Sequence, residues 1–375
     1  MTATRTTIGS ALAVATLLSA ISGTAHIFTD WLPLKPVGYI DPFGHDTLVR
    51  YTDVTAKGGI AWLATRDRGV AVIELPPSGK PVAIANYAPS PLPVFTSVAV
   101  NGTTGYFATA NNGIHVVDLE AEPGPRQRGR IDLSAEGFDR VSRLALHAET
   151  LFAVGPDSPR IAVFDVHQPH RPVRVQTLDT AEVGELRDVV VAGDHLYVAG
   201  TRGRDGRGAV YIYALSDLER SPRILATGPD TASADATPDE RFLVVSHDRR
   251  GGTVSIHDLA APDPAAALEE IGAADYEINT FGPSRVRVKD QVAYVAWHQG
   301  GVQLIDLDTV DITGKTQRVG VFGTAPGISP LAGAAGNVGA YPFVSNDRVL
   351  LVDTRWGLYV VDARHVLPVA LEAAE

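Results

Sequence analysis

GIHVVDL, running from Gly113 to Leu119, is a short apolar run that opens on glycine and closes on an acid followed by a small hydrophobe. Six further copies repeat the apolar run and its acidic or polar close, with or without the glycine: GVAVIEL from Gly69, RIAVFDV from Arg160, AVYIYAL from Ala209, TVSIHDL from Thr253, GVQLIDL from Gly301 and GLYVVDA from Gly357. Successive starts lie 44, 47, 49, 44, 48 and 56 residues apart. β-Branched and aromatic residues fill the copies, so each reads as a strand. A period of this length belongs to four-stranded propeller blades and not to helical repeats.

Working outward, each copy sits third in a four-part unit. In the second unit the parts are TSVAVN (Thr96–Asn101), GYFATA (Gly105–Ala110), IHVVDL (Ile114–Leu119) and QRGRIDL (Gln127–Leu133). Asn101-Gly102, Gly193-Asp194, Lys289-Asp290 and Asn346-Asp347 all fall between first and second strands, where tight turns are needed. A lone blade has two apolar faces and must pack against a neighbour on each side, so the ring has to close. The expected fold is all-β, a single seven-bladed β-propeller of four-stranded antiparallel blades. KPVGYID (Lys35–Asp41) resembles an outer strand such as KPVAIAN (Lys80–Asn86) and is taken as the closing one; LPVALE (Leu367–Glu372) is the alternative.

A ring from about Lys35 to Ala370 leaves no room for a second folded unit in 375 residues, and Gly323–Gly339 is the one insertion that breaks the period. The first 25 residues carry one Arg, an apolar stretch from Ile8 to Ile21 and small residues at Gly23 and Ala25, the pattern of a cleaved signal peptide. That stretch is shorter than a bilayer-spanning helix. The expected domains are therefore a signal peptide, residues 1–25, and a propeller, residues 26–375, with no membrane span after cleavage and a periplasmic, secreted or cell-surface location. No Cys occurs, which rules out disulfides, thiolate metal sites and a lipid-modified N-terminal Cys. The net charge is −11, and loss of Arg5 with the leader leaves 31 basic residues against 43 acidic ones, or −12. Such a surface repels phosphate backbones, so nucleic acid is not an expected partner.

The GLYVVDA and GVQLIDL strings resemble the LVIVD repeat of exported bacterial and archaeal β-propellers, over essentially all of the chain after residue 35. The resemblance implies an extracytoplasmic or cell-surface propeller; it supplies no catalytic motif. No nucleophile elbow, HExxH, phosphate-binding glycine loop or calcium loop is present.

In a propeller the first strand of each blade lines the central channel. Aligning these strands puts Asp53, Ser97, Arg143, Asp188, Ser233, Arg285 and Pro342 at one equivalent position near the channel mouth, with Asp235 and Arg287 one step deeper. These charges either pair with each other or hold a polar ligand. His45, on the loop entering the first blade, reaches the same mouth. His247 and His298 end the second strands of adjacent blades and, with Asp248 and Asp188, form a conceivable divalent metal site with His45 as a further candidate. His115 and His257 lie on third strands and are read as packing residues. The turns between second and third strands carry Arg66, Arg68, Arg202, Arg204, Arg207, Arg249, Arg250 and Arg355, all expected on the mouth face, where arginine suits carboxylate or sulfate recognition. No cofactor is called for, a divalent metal being the one candidate. Two functions stay open: a non-catalytic monomer that binds a protein, anionic glycan or envelope component through this face, and a hydrolase, lyase or oxidoreductase centred at the channel mouth.

Overall fold

The fold is described from a computed structural model covering residues 32–44, 50–134, 137, 140–180, 184–202, 206–272, 282–298, 300–310, 315–322, 337–343 and 348–364, with only the backbone at 32, 33, 202 and 337–343. These residues form seven sheets, each built on four antiparallel blade strands, arranged as a closed ring. Blade one begins at Tyr51–Lys57, blade two at Phe95–Asn101, blade three at Arg143–His147 and blade four at Leu186–Ala192. Blades five and six begin at Thr231–Ala236 and Pro283–Lys289, and blade seven at Asn337–Phe343.

The repeated apolar runs are the third strands, and alternation explains why both of their faces are apolar. Along the second strand of blade one, Ala61 and Leu63 pack towards Leu350 and Leu358 of blade seven, while Trp62 and Ala64 pack towards Phe95 and Phe107 of blade two. The same division holds around the ring, giving one buried cluster at each of the seven blade interfaces. Full burial of a Val, Leu or Ile contributes about 1.5–3 kcal/mol, so these seven seams hold the molecule together.

The glycine and the acid that most copies of the repeat share have local causes. Gly69 and Gly357 adopt φ of +100° and +101°, and a Cβ there would be driven into the carbonyl oxygen of Tyr87 or Ile40 on the neighbouring outer strand. The closing acid turns the chain: Asp118, Asp165, Asp258, Asp306 and Asp362 each accept, through Oδ1, the backbone N–H two residues on. The hydrophobe after it ties the strand end to the turn between first and second strands, as in Leu119 N to Thr103 O at 2.8 Å. Those turns hold Gly102, Gly193 and Asp290 at positive φ, where the sequence placed them; Asn346-Asp347 lies outside the described residues.

Closure is made by the N-terminal strand. Lys35–Ile40 pairs antiparallel with Gly357–Asp362 and becomes the outer strand of blade seven. Tyr51 donates to Asp41 Oδ1 at 2.5 Å, fastening the end of this strand to blade one. Leu32–Pro33, which the sequence did not reveal as a strand, adds in parallel to the outer strand Gln317–Phe322 of blade six, so one short segment is stitched to two blades. Leu367–Glu372 lies outside the described residues.

Candidate functional site

In blades one, two, five and six the segment ahead of the first strand pairs through its backbone with the turn between second and third strands. Arg66 N donates to Arg50 O, Ala110 N to Val94 O, Asp248 N to Asp230 O and His298 N to Gly282 O, at 2.8 to 3.2 Å. These two kinds of loop therefore share one face, and the first strands run inward from it.

Register fixes the ring position. Asp53, Ser97, Asp188, Ser233 and Arg285 each follow a bulge early in the first strand, and Arg143 occupies the same place opposite Val154. In blade seven the position after the bulge is Gly339, three residues before the Pro342 expected from sequence. The insertion preceding that blade had shifted the alignment. Read from blade one, the ring is Asp, Ser, Arg, Asp, Ser, Arg, Gly, a three-blade pattern given twice and interrupted once.

Its chemistry follows that pattern. Asp53 Oδ2 accepts from Ser97 Oγ at 2.7 Å and Val98 N at 3.2 Å, and Ser97 Oγ accepts from Leu144 N at 3.3 Å. In the second half Ser233 Oγ donates to Asp188 and accepts from Val286 N at 3.2 Å. Each Asp–Ser pair thus sews three consecutive blades together. The arginines span further. Arg285 Nη1 of blade six meets Asp53 Oδ1 of blade one at 2.6 Å, across the position where blade seven has only Gly339. Arg287 reaches past blade five to Asp188 of blade four with two bonds of 2.7 and 3.0 Å. Arg143 Nε stands 4.0 Å from the same Asp188, and its Nη1 donates to the carbonyls of Thr96 and Ser142 at 3.0 and 2.7 Å. Asp235 accepts from Val288 N and Ala236 N, both at 2.9 Å; burial pushes its carboxyl up to about 7, opposed by the Arg287 charge and these two N–H groups.

The histidines separate. His247 is buried and bonds Ser255 Oγ through Nε2 at 2.9 Å; Ser255 Oγ in turn lies 2.9 Å from His257 Nε2, and His257 Nδ1 meets Pro264 O at 3.0 Å. His298 Nε2 instead pairs with Asp248 Oδ1 at 3.0 Å at the loop surface. The two rings are thus engaged with different partners, and Asp188 is committed to Arg287 and Ser233. Among the described residues no group of three His, Asp or Glu side chains converges in a geometry that could hold a metal; His45 lies outside them. His115 is buried against Phe95, with Nδ1 2.7 Å from Tyr87 Oη and Nε2 2.9 Å from Asn112 Nδ2. With Asn112 donating to Nε2, the ring proton sits on Nδ1 and points at Tyr87. Burial, seconded by the Arg130 charge, lowers the His115 pKa to about 4.

Of the turn arginines, Arg66, Arg68, Arg249 and Arg250 are exposed. Arg355 is half-buried, its guanidinium 5.5 Å from the centroid of the Trp356 ring. Arg207 begins the third strand of blade four, paired in register with Arg202, and Arg204 lies outside the described residues. Two arginines that sequence reading missed join this face. Arg50 and Arg140 line a pocket of about 280 Å³ together with Arg66 and Arg143, between the loops of blades seven, one, two and three. Each stands three residues ahead of a ring position, Asp53 or Arg143, and counting back from the aligned first strands would have found both.

No protein-family model matches the chain, and no curated protein sequence matches it. Solved structures do. The WD40 repeats of RRP9 superpose with a TM-score of 0.62 at 13% identity, over 85% of this chain and 95% of that one. U3-55K superposes with a TM-score of 0.62 at 14% identity, over 85% of this chain and 96% of that one. The chain is a seven-bladed β-propeller similar in fold to WD40 propellers; at these identities the likeness extends to fold alone.

Proposed function

We propose that this protein is an exported, non-catalytic propeller that binds a partner, a protein or an envelope component, through the face built by its blade-linking loops and second-to-third-strand turns. The observation that carries the reading is a contrast between two sets of charges. In the channel Asp53, Asp188, Arg285 and Arg287 are occupied with each other. On the loop face, the side chains of Arg50, Arg66, Arg68, Arg249 and Arg250 have no hydrogen-bond or ion-pair partner among the described residues. Arginines left open on one face of a molecule of net charge −11 are suited to contact with something acidic. Similarity to WD40 propellers supports a scaffold role. The leader-like first 25 residues and the LVIVD-type strings support export.

Two measurements test it. The N-terminus of the protein recovered from its native compartment should begin at or near His26, and a cytoplasmic chain that keeps Met1 would end the export reading. Cross-linking in that compartment should join the wild type to a defined partner, and a variant carrying Arg66→Glu, Arg68→Glu, Arg249→Glu and Arg250→Glu should lose it. The same partner held equally well by the folded variant would move the site off this face.

A further inference from the structure

The pocket between blades seven, one, two and three differs from the rest of the face in what lines it. Four arginines, Arg50, Arg66, Arg140 and Arg143, line about 280 Å³, and no Asp or Glu is among the described lining residues. Three of the hydroxyls there spend their protons inward: Thr52 donates to Phe95 O at 3.2 Å, Thr96 to Val141 O at 2.5 Å and Ser142 to Val154 O at 3.1 Å. A ligand entering the pocket therefore meets N–H donors from arginine and is selected for being an acceptor. Among the described residues two acids pair with the four from outside: Asp188, on the channel side, 4.0 Å from Arg143, and Asp157, 3.7 Å from Arg140, the side chains of that second pair being largely exposed. Such an exposed pair is worth little and yields readily to a better acceptor. Arg143 is held in place by its bonds to Thr96 O and Ser142 O and by Asp188, so part of the cradle is set before anything binds.

We infer that this pocket receives the carboxylate side chain of an acidic peptide segment of the partner protein, an inference that rests on the loop-face reading above. The volume suits one Asp or Glu side chain and its flanking backbone, and the fork geometry of arginine matches a carboxylate with paired N–H···O bonds. Val141, Ala110 and Pro156 supply apolar wall for the methylenes of such a side chain. A sugar ring is disfavoured because the described lining offers no open aromatic face for stacking: Tyr51, the one aromatic among the described lining residues, is fully buried and its hydroxyl is given to Asp41. Arg143 also joins the pocket to the channel ring, since the Asp188 beside it is the acceptor for Arg287.

The probe is fluorescein-labelled hexaglutamate, titrated against the full chain by anisotropy at low and at physiological salt, with a heparin hexasaccharide as competitor. Binding that weakens with salt is expected, and the double variant Arg50→Ala, Arg66→Ala should lose about tenfold or more in affinity, as removal of charge-assisted bonds does. Arg50→Lys with Arg66→Lys keeps the charge and loses the fork, and should fall between the two. Lys57→Ala with Arg126→Ala, exposed on the opposite face, should bind as the wild type does. Thermal melts establish that each variant is folded. Hexaglutamate binding that survives Arg50→Ala, Arg66→Ala but is lost with Arg249→Ala, Arg250→Ala would overturn the pocket and leave the face. Heparin binding with none of hexaglutamate would overturn the peptide assignment in favour of an anionic glycan. Absence of both would overturn the pocket as a site for acidic ligands, leaving the partner cross-linking result to decide the face.

Discussion

Asp188 is the residue on which the interior depends most. It is almost fully buried and receives Arg287, Ser233 and the edge of Arg143. Asp188→Ala leaves two guanidinium groups near the axis without their acceptor, and a loss of about 3 kcal/mol or more is expected in denaturant unfolding. The double variant Asp188→Ala, Arg287→Ala should regain part of that loss; strict additivity would mean the pair is not coupled. Asp235 and His115 respond to pH with opposite signs. For Asp235 the folded-state pKa is raised to about 7 by burial, so the folded state holds the proton more tightly than the unfolded chain. Its contribution is complete below the ordinary carboxylate range and is lost as pH rises towards 7. The difference in Tm between wild type and Asp235→Asn should therefore shift against the wild type over that interval; a constant difference would show that Asp235 titrates normally. For His115 the folded-state pKa is lowered to about 4, so its contribution is present above the ordinary histidine range and is lost as pH falls towards 4. His115→Gln should flatten that acid limb.

At the level of strands and turns, glycines at positive φ separate two kinds of cost. Gly102 has φ of +57° and open space around it, so Gly102→Ala should cost only the left-handed penalty, about 1–2 kcal/mol. Gly357 has a left-handed φ as well, and an added Cβ would strike the closing strand at Ile40 O, so Gly357→Ala should cost more in the same denaturant titration. Equal costs would show that the closing strand gives way. The elements were legible in the sequence because an apolar run with both parities buried recurs in every blade, helped in several copies by a positive-φ start and in five by an Asp that caps the following turn. Leu32–Pro33 was not legible, since two residues in parallel pairing have no pattern to display. The Pro342 placement failed for a related reason. A bulge and a preceding insertion both move the register, and only backbone pairing identifies Gly339 as the ring position.

Across the whole ring, the channel charges could be read as a set from the aligned strands, but their partners could not. Arg285 and Asp53 are 232 residues apart in sequence and bridge two blades that are not neighbours, a relation no periodicity encodes. The pocket arginines were half legible: Arg66 and Arg143 stood in the aligned loops and strands, whereas Arg50 and Arg140 needed the loops to be folded onto one another. Seven apolar seams without a gap make the ring one cooperative body, and removal of residues 1–44 should replace a single calorimetric transition by a broadened, lower one; an unchanged transition would deny the closing strand its role. That strand has a further consequence, in time rather than space. Lys35 is made before every blade and its partner Asp362 only with the third strand of blade seven, so the ring cannot seal until all seven blades have been synthesised. Until the last blade exists, the earliest strand has nothing to hold, and the chain stays open and threadable along its whole length.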